Sequence, residues 1–488
     1  MQVEHKLQLE YEKKFYLLAQ KLDKIVLKSS KDSFIINNQS LHLTRNHPEY
    51  LDFWKPVIYS EKITRSMLLK ILLSLLYSIF VALIILIREL LAKNTLASIR
   101  YRLNSNLEFV IISHFLGGDN LSDDLYYGEL FRELGKRDIK FLKLTIPHAS
   151  EKNKSKVSEL SNSITLDSSL PRTFIIKYIF MNLIALLKIL YFGFKANFNF
   201  YEILVIVLGQ VNNFNNVKFA YNVERAIIDC KPNKLIMTFE GNALERSIFY
   251  ACHKNGVESI GFQHAPIIPS QYSIFRRLEP QLEPDVILTS GEYTKKIFID
   301  RLGASARCKV LGSSKNVHAK IDLKEIVSKK ILKILLVPDG NANSILKFLE
   351  LGLFLGKRLP TYEICIRAHP LFISFLKNEM VQNHSESLLK YSNSLLDLEL
   401  ANSKWVIYEN SSVAIQAGFY GCNLVYYANP LANIDPLFDL FENKFIVNSQ
   451  EEIYAIVKNN SDFNILRVEK VSRFSANYFS QLDISVLL

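Results

Sequence analysis

The chain has 488 residues, of which 49% are hydrophobic and 22% charged, with a formal net charge of +11. That content fills sizeable cores and excludes a disordered chain, and the length suits two domains. The basic balance suits an anionic membrane face or polyanionic substrates. Nucleic acid is disfavoured, because no zinc-finger spacing, RNP-like aromatic motif or dense Lys/Arg tract occurs.

The N-terminal stretch to residue 64 is polar and lysine-rich, with a loose helical stripe at Leu7, Leu9, Tyr11, Phe15, Leu18 and Leu22. It carries no signal-peptide pattern. Residues 71–87 form an uncharged apolar run with basic flanks at Lys62, Arg65, Lys70, Arg88 and Lys93. The run is near the minimum length for a bilayer span, and the symmetric flanks give no orientation. It reads either as a core helix or as a helix embedded in or resting on a membrane.

The run Phe109–Phe115 predicts a buried strand ending in Ser113 and His114. A helix near Tyr126, Tyr127 and Leu130 and a strand over Ile139–Ile146 follow, which makes a strand–helix–strand unit and implies a parallel sheet. Residues 171–195 predict a second apolar helix with Arg172, Lys177, Lys188 and Lys195 as its only charges, the lysines on one stripe. A basic stripe on an apolar helix is the pattern of an interfacial helix on anionic lipid; the alternative is a core helix whose lysines reach out to water. Were this helix to cross a bilayer, the strands before it and after it could not share a sheet. It is therefore expected to lie on the membrane.

Beyond residue 200 strands and helices alternate. Strands are predicted at Ile203–Leu208, Leu235–Thr238, Ser259–Phe262 and Val286–Thr289, with a helix near 217–229. Residues 315–330 read as a linker. A second sheet is expected from Ile331–Val337, 362–367, 405–408, 422–428 and 444–447, before a last helix capped by Ser449 and Glu452. The domain division is thus a helical leader 1–104, an acceptor-side domain 105–314 with the insertion 171–195, the linker, and a donor-side domain 331–488. The five cysteines, Cys230, Cys252, Cys308, Cys365 and Cys422, are scattered and odd in number, as expected in a reducing compartment.

Polar residues cluster where strands should end. In the second half these are Asp339-Gly340, then Arg367 with His369-Pro370, then Asn410 with Ser411-Ser412 opening a helix. Paired serines at a helix start offer hydroxyls and backbone N–H groups to an anion, and His369 adds a donor or charge. In the first half they are His114, Glu240-Gly241 with Glu245, and Gln263-His264. A carboxylate at a strand end beside Phe239 suits a general base, so Glu240 and Glu245 are the catalytic candidates, with His264, Gln263 and His114 lining the cleft. Arg276-Arg277 either grips a phosphate or lipid headgroup or is simply solvated. No GxGxxG, P-loop, HExxH, DxD or clustered metal-ligand set occurs, which favours a metal-independent transfer without a cofactor.

The order acidic-Gly turn, His-Pro, Ser-Ser helix start resembles bacterial sialyltransferases and related surface-polysaccharide transferases. Those enzymes use CMP-activated nonulosonic or 3-deoxy-octulosonic acids on a GT-B fold. The stretches Thr238–Glu245, Gly261–His264 and Tyr126–Leu130 also resemble a group of surface carbohydrate biosynthesis proteins, and together the likeness covers roughly residues 105–460. It implies an α/β, GT-B-like architecture of two Rossmann-like domains facing a cleft. It also implies that His369, Pro370, Ser411 and Ser412 contact the donor's cytidine phosphate and that Glu240 is the base, although Phe239 stands where the motif has a second acid. The expectation is a glycosyltransferase at the cytoplasmic face of a bacterial inner membrane. It would move a sugar from a nucleotide-activated donor, CMP-linked by this resemblance, to a glycan or glycolipid acceptor. A CDP-polyol phosphotransferase, a non-catalytic scaffold of a polysaccharide assembly and a nucleotide-sugar epimerase are the alternatives.

Overall fold

In the computed structural model the described residues are 13–14, 17–25, 53–54, 56–58, 61–92, 107–115, 124, 126–147, 163–166, 168–269, 271, 273–303, 307–316, 322–382, 388–428, 434–459 and 465–488. The first four positions of the predicted leader stripe and part of the predicted linker lie outside them.

Two all-parallel sheets organise the chain. The first contains β1 (Phe109–Phe115), β2 (Phe141–Pro147), β3 (Ser163–Thr165), β4 (Lys234–Thr238), β5 (Glu258–Gln263), β6 (Val286–Thr289) and β7 (Cys308–Val310), in the order β3-β2-β1-β4-β5-β6-β7. The second contains β8 (Ile331–Val337), β9 (Glu363–Ile366), β10 (Lys390–Tyr391), β11 (Ser403–Tyr408), β12 (Asn423–Tyr427) and β13 (Phe445–Val447), in the order β10-β9-β8-β11-β12-β13. Each sheet runs outward from its first strand, then reverses and continues on the other side. Each therefore has a switch point, at β1/β4 and at β8/β11, where the carboxyl strand ends open a crevice. The central strands are apolar runs such as VIIS and ILLV because both faces are covered by helices.

The helices are α1 (Arg65–Leu91), α2 (Leu130–Lys136), α3 (Arg172–Lys195), α4 (Phe200–Val211), α5 (Phe214–Cys230), α6 (Ala243–Lys254), α7 (Glu292–Leu302), α8 (Leu323–Lys329), α9 (Ala342–Arg358), α10 (Ile373–Gln382), α11 (Leu396–Asn402), α12 (Ser412–Phe419), α13 (Gln450–Asn459) and α14 (Ile465–Tyr478). One predicted strand is overturned. The apolar run at 203–208 lies inside α4, where Asn199 and Glu202 form a capping box and nearly every side chain is buried. A continuous apolar stretch cannot distinguish a buried helix from a buried strand, and the cap decides it.

The chain crosses back at its end. Helix α14 packs on α12, where Ser475 Oγ donates to the Ile415 carbonyl at 2.7 Å, and its aromatic side chains meet Tyr293 of α7. Residues 480–488 then return to the first sheet. Ser313 N donates to the Ser480 carbonyl at 2.9 Å, Asp483 N to the Leu311 carbonyl at 2.8 Å, and Ile484 and Leu487 join the core beneath β1. Gly291 lies against this crossing: a Cβ there would sit 2.3 Å from the Asn477 carbonyl oxygen.

Helices α1, α3 and α4 form a bundle beside the first sheet. Helix α4 is the buried member. The other two each present an apolar stripe outward: Leu69, Leu73, Leu76, Tyr77, Phe80 and Leu83 on α1 are 52–70% exposed, and Ile176, Phe180, Leu183, Leu187, Tyr191 and Phe194 on α3 are 54–67% exposed. Both are long and apolar enough to cross a membrane. Yet α3 leaves β3 and leads through α4 and α5 to β4, and β1 pairs with both β2 and β4. Strands before and after α3 share one sheet, so it does not pass to the far side of a bilayer alone.

Candidate functional site

The first crevice opens between β1 and β4. His114, near the end of β1, and Thr238, the last residue of β4, bridge it through Nε2 and Oγ1 at 3.3 Å. The Tyr126 ring stands between two histidines, 5.3 Å from His114 and edge-on to His264 at 4.8 Å. Asp124 sets that tyrosine. Its Oδ1 accepts the backbone N–H groups of Tyr126 and Tyr127 at 2.9 and 3.0 Å. Its Oδ2 accepts from Ser113 Oγ at 2.6 Å and pairs with Lys143 at 2.7 Å. Burial, helped by Glu240 and Asp124, raises the Tyr126 pKa, so the phenol stays a neutral donor.

Glu240 completes this group, with Oε1 3.9 Å from His264 Nε2. Its backbone is pinned. Glu245 accepts from the N–H of Glu240 at 2.9 Å, of Gly241 at 2.7 Å and of Asn242 at 3.0 Å, while Asn242 caps the helix by accepting from Glu245 N at 3.1 Å. Ser273 Oγ donates to the Glu240 carbonyl at 2.5 Å. Gly241 has φ +81°, and a Cβ there would meet the Ser273 carbonyl oxygen at 2.2 Å, so only glycine fits this turn. The two acids thus divide the work: Glu240 keeps its carboxylate toward His264, and Glu245 spends its own on the turn. Glu245 is 1% exposed, and burial together with the Glu240 charge pushes its pKa up to about 8 against the pull of the backbone N–H groups.

Gln263 is fully buried, so it does not line the cleft. Its side chain accepts from Ser290 Oγ at 3.2 Å and donates to the Ala265 carbonyl, locking the ends of β5 and β6. Of the two arginines after it, Arg276 is buried and Arg277 is exposed. Arg276 pairs with Asp23 of the helical segment 17–25, and Arg277 reaches Glu283 at 3.5 Å and the Leu302 carbonyl. Buried Arg276 is therefore not free to grip a phosphate or headgroup, and burial lowers its pKa to about 9, while Arg277 keeps about half of its side chain, 49%, in solvent.

The second crevice opens between β8 and β11, and Asn410 Nδ2 bridges it to Asp339 Oδ1 at 3.2 Å. Asp339 also accepts from Gly340 N at 2.8 Å and Asn341 Nδ2 at 3.1 Å, so its carboxylate orders the turn. Beneath it, buried Glu409 takes a hydrogen bond from Ser344 Oγ at 2.6 Å and pairs with Lys347 at 3.1 Å. Beside it, a Cβ on Gly340 would lie 3.5 Å from the His369 ring. His369 Nδ1 accepts from Leu371 N at 3.4 Å, which leaves Nε2 as the N–H donor on an exposed turn. The shielded side of the ring lowers its pKa, so it rests neutral. Pro370 opens the short 3-10 turn that follows. Arg367 is tied to the loop after β10, donating to Ser392 Oγ at 3.2 Å and the Ser394 carbonyl at 2.8 Å, and burial lowers its pKa. Ser411 caps α12 by accepting from Val413 N at 3.3 Å, and Ser412 begins the helix. Since β9, β8 and β11 are neighbours and strands lie about 4.8 Å apart, His369 and the α12 start flank the Asp339 turn at strand ends about 10 Å apart.

The carboxyl edges of the two sheets meet. Tyr293, after β6, donates its hydroxyl to Asp439, after β12, and Ile267 N, after β5, donates to the Tyr478 hydroxyl at 2.6 Å. Asp124, Lys143 and Ser344 were not singled out from the sequence. Their signal is weak there because each acts on a neighbour rather than at a strand tip. Among the described residues no group of three or more His, Cys, Asp or Glu side chains is gathered to hold a metal ion.

No protein-family model matches the chain, and no curated protein matches it in sequence. Among solved structures it is similar to UDP-GlcNAc 2-epimerase from Neisseria meningitidis bound to UDP-GlcNAc, at 12% identity and TM-score 0.49, covering 78% of this chain and 98% of that one. It is also similar to the S. aureus MnaA–UDP structure, at 9% identity and TM-score 0.47, covering 77% and 93%. A third is Anabaena HepE in complex with UDP, at 13% identity and TM-score 0.41, covering 78% and 97%.

Proposed function

We propose that the chain is a glycosyltransferase that takes a nucleotide-activated sugar at the β8/β11 crevice and transfers it at the β1/β4 crevice to a membrane-associated glycan or glycolipid. The observation that carries this reading is the placement of the two polar clusters at the two switch points, on sheet edges joined by Tyr293 and Asp439. The first supplies a carboxylate next to a histidine and a neutral phenol. The second supplies a neutral imidazole N–H donor, an ordered acidic turn and a serine-capped helix start, which together suit phosphate oxygens.

In this mechanism the donor's phosphate sits between His369 Nε2 and the first N–H groups of α12, and Ser412 adds a hydroxyl. Asn410 and Asp339 hold the two strand ends at fixed separation. Glu240 takes the proton of the acceptor hydroxyl as it attacks the anomeric carbon, and His264 and Tyr126 orient that hydroxyl. The nucleotide diphosphate or monophosphate leaves with the electron pair of the broken bond, stabilised by the helix start and His369. The His-Pro and Ser-Ser motifs favour a CMP-linked ulosonic or nonulosonic sugar. The exposed apolar stripes of α1 and α3, with Lys177, Lys188 and Lys195 on the exposed side of α3, support work on an anionic membrane surface. We place it on the cytoplasmic side, where nucleotide sugars and free thiols belong.

A thermal-shift screen against CMP, CDP, UDP, GDP and ADP tests the donor half, since a ligand that binds only the folded state raises the midpoint. A rise with pyrimidine nucleotides is expected. No response to any of them contradicts the proposal.

A further inference from the structure

A cavity of about 620 Å³ runs between α1 and the α4–α5 corner, within the roughly 300–1,000 Å³ range of small-molecule sites. Its walls include Ser74, Ser78 and Val81 of α1 and Leu208 and Phe214 opposite, with Lys70 at one end. From Lys70 to Ile85 it follows fifteen residues of helix, about 22 Å at 1.5 Å per residue. One leaflet of a bilayer is about 15 Å of hydrocarbon, so the groove is long enough for a single lipid chain. Its lip is continuous with the exposed stripe of α1, where Tyr77 is 70% exposed.

Charge and position select the occupant. Lys70 is exposed, has no carboxylate partner among the described residues, and lies over the Phe53 ring, 5.6 Å from its centroid. The one acid on α1, Glu89 at the far end, is consumed by Lys218 at 2.5 Å and by Leu170 N at 3.2 Å. The Lys70 end is also the end that approaches the chemistry. Ile71 packs in one cluster with Leu22, the neighbouring Asp23 pairs with Arg276, and Ser273 in the same loop holds the Glu240 carbonyl. The other end is tied beyond the carboxyl edge at β3, where Leu170 N donates to the carboxylate of Glu89 at 3.2 Å. The bundle is therefore tethered at both ends along the edge that carries Glu240, with its groove opening on its apolar side.

We infer that this groove holds the hydrocarbon anchor of a phosphate-bearing lipid acceptor, with Lys70 at the phosphate and the glycan directed toward Glu240. The inference rests on the reading of α1 and α3 as a membrane face and deepens it by naming the acceptor's anchor and its seat.

The test uses the full chain on phosphatidylcholine vesicles containing a photoactivatable alkyl phosphate with the reactive group at the chain end, and cross-links are mapped by mass spectrometry. Labelling is expected within residues 78–85 and 208–215. Ser78→Phe, which fills the groove, should lower it at least tenfold while vesicle flotation and the nucleotide thermal shift stay unchanged. Lys70→Gln should lower labelling by the alkyl phosphate severalfold and leave labelling by the matching alkyl alcohol unchanged. Competition with unlabelled dodecyl phosphate needs no substitution and should displace the probe, whereas dodecanol should displace it poorly. Labelling confined to the outer stripe at Leu73, Leu76 and Phe80, or groove labelling that dodecyl phosphate does not reduce, overturns the inference. Loss of the nucleotide response with groove labelling intact would instead count against the donor pocket.

Discussion

The Asn410 side-chain amide reaches across the switch point of the second sheet to Asp339 Oδ1, 3.2 Å away, and so fixes the ends of β11 and β8 to one another. The first sheet has its counterpart in Thr238 and His114. In both sheets the bridge joins the two strands between which the order reverses.

Removing the second bridge should loosen the donor pocket without unfolding the chain. Asn410→Ala takes away a hydrogen bond to a charged group, worth ~1.5–3 kcal/mol, of which the pocket feels only the part that orders it. Nucleotide affinity measured by calorimetry should fall severalfold. Asp339→Asn should weaken donor binding more than it slows turnover. Unchanged affinity in both variants would separate this turn from the nucleotide.

The base is tested by its own substitution. Glu240→Gln keeps the size of the side chain beside His264 but cannot accept a proton. General-base catalysis typically contributes ~10²–10⁴-fold, so kcat for transfer should drop by that order with nucleotide affinity near wild type. An active Glu240→Gln enzyme, together with an inactive but donor-binding Asp339→Asn enzyme, would reverse the two assignments.

Glu245 makes a pH prediction. Its folded value, about 8, lies above the ~4.3 of an unfolded chain, so the native state holds a proton that the unfolded state has released. The stability it contributes is present in full below the unfolded value, falls across the interval as pH rises, and is gone once pH has passed through about 8. Denaturant unfolding at a series of pH values should show wild-type stability declining over that window, and Glu245→Gln should flatten the decline. A slope identical in the two proteins would mean that Glu245 is ionised throughout, held so by its backbone partners.

The two parallel sheets and the strand-end clusters were legible because buried strands leave apolar runs and ligand-type residues gather at their carboxyl ends. His369, Ser411 and Glu240 therefore stand out in the sequence. What was hidden depends on tertiary partners. The run at 203–208 has no periodicity to mark it as helix, and only Asn199 and Glu202 betray it. Glu245, in the first turn of α6, and Gln263, at the end of β5, look like cleft residues in the sequence, yet their side chains turn inward to backbone and Ser290. Arg276 resembles an exposed cation until Asp23, more than two hundred residues away, is brought beside it. The return of residues 480–488 to the first sheet leaves no local signal at all.

The proposed membrane face carries a salt-dependent prediction. Lys177, Lys188 and Lys195 are exposed beside the apolar stripe of α3, and basic residues near an anionic surface contribute ~1 kcal/mol each. Replacing all three with glutamine should reduce flotation with phosphatidylglycerol vesicles and remove most of its salt sensitivity. Equal binding of both proteins to neutral and anionic vesicles would exclude these lysines as a lipid contact.

The proposed nucleotide-phosphate site lies at the edge of the second sheet, at His369 and the start of α12. Calorimetric titration of CMP, CDP and UDP into wild-type protein and into His369→Ala measures it directly. Saturable binding to wild type by at least one of them is expected. His369→Ala should weaken that binding by roughly ten- to hundredfold, the equivalent of a charge-assisted hydrogen bond of ~1.5–3 kcal/mol, with an unchanged unfolding midpoint in the absence of ligand. Binding that is undiminished in His369→Ala, or absent from wild type for all three nucleotides, would contradict it.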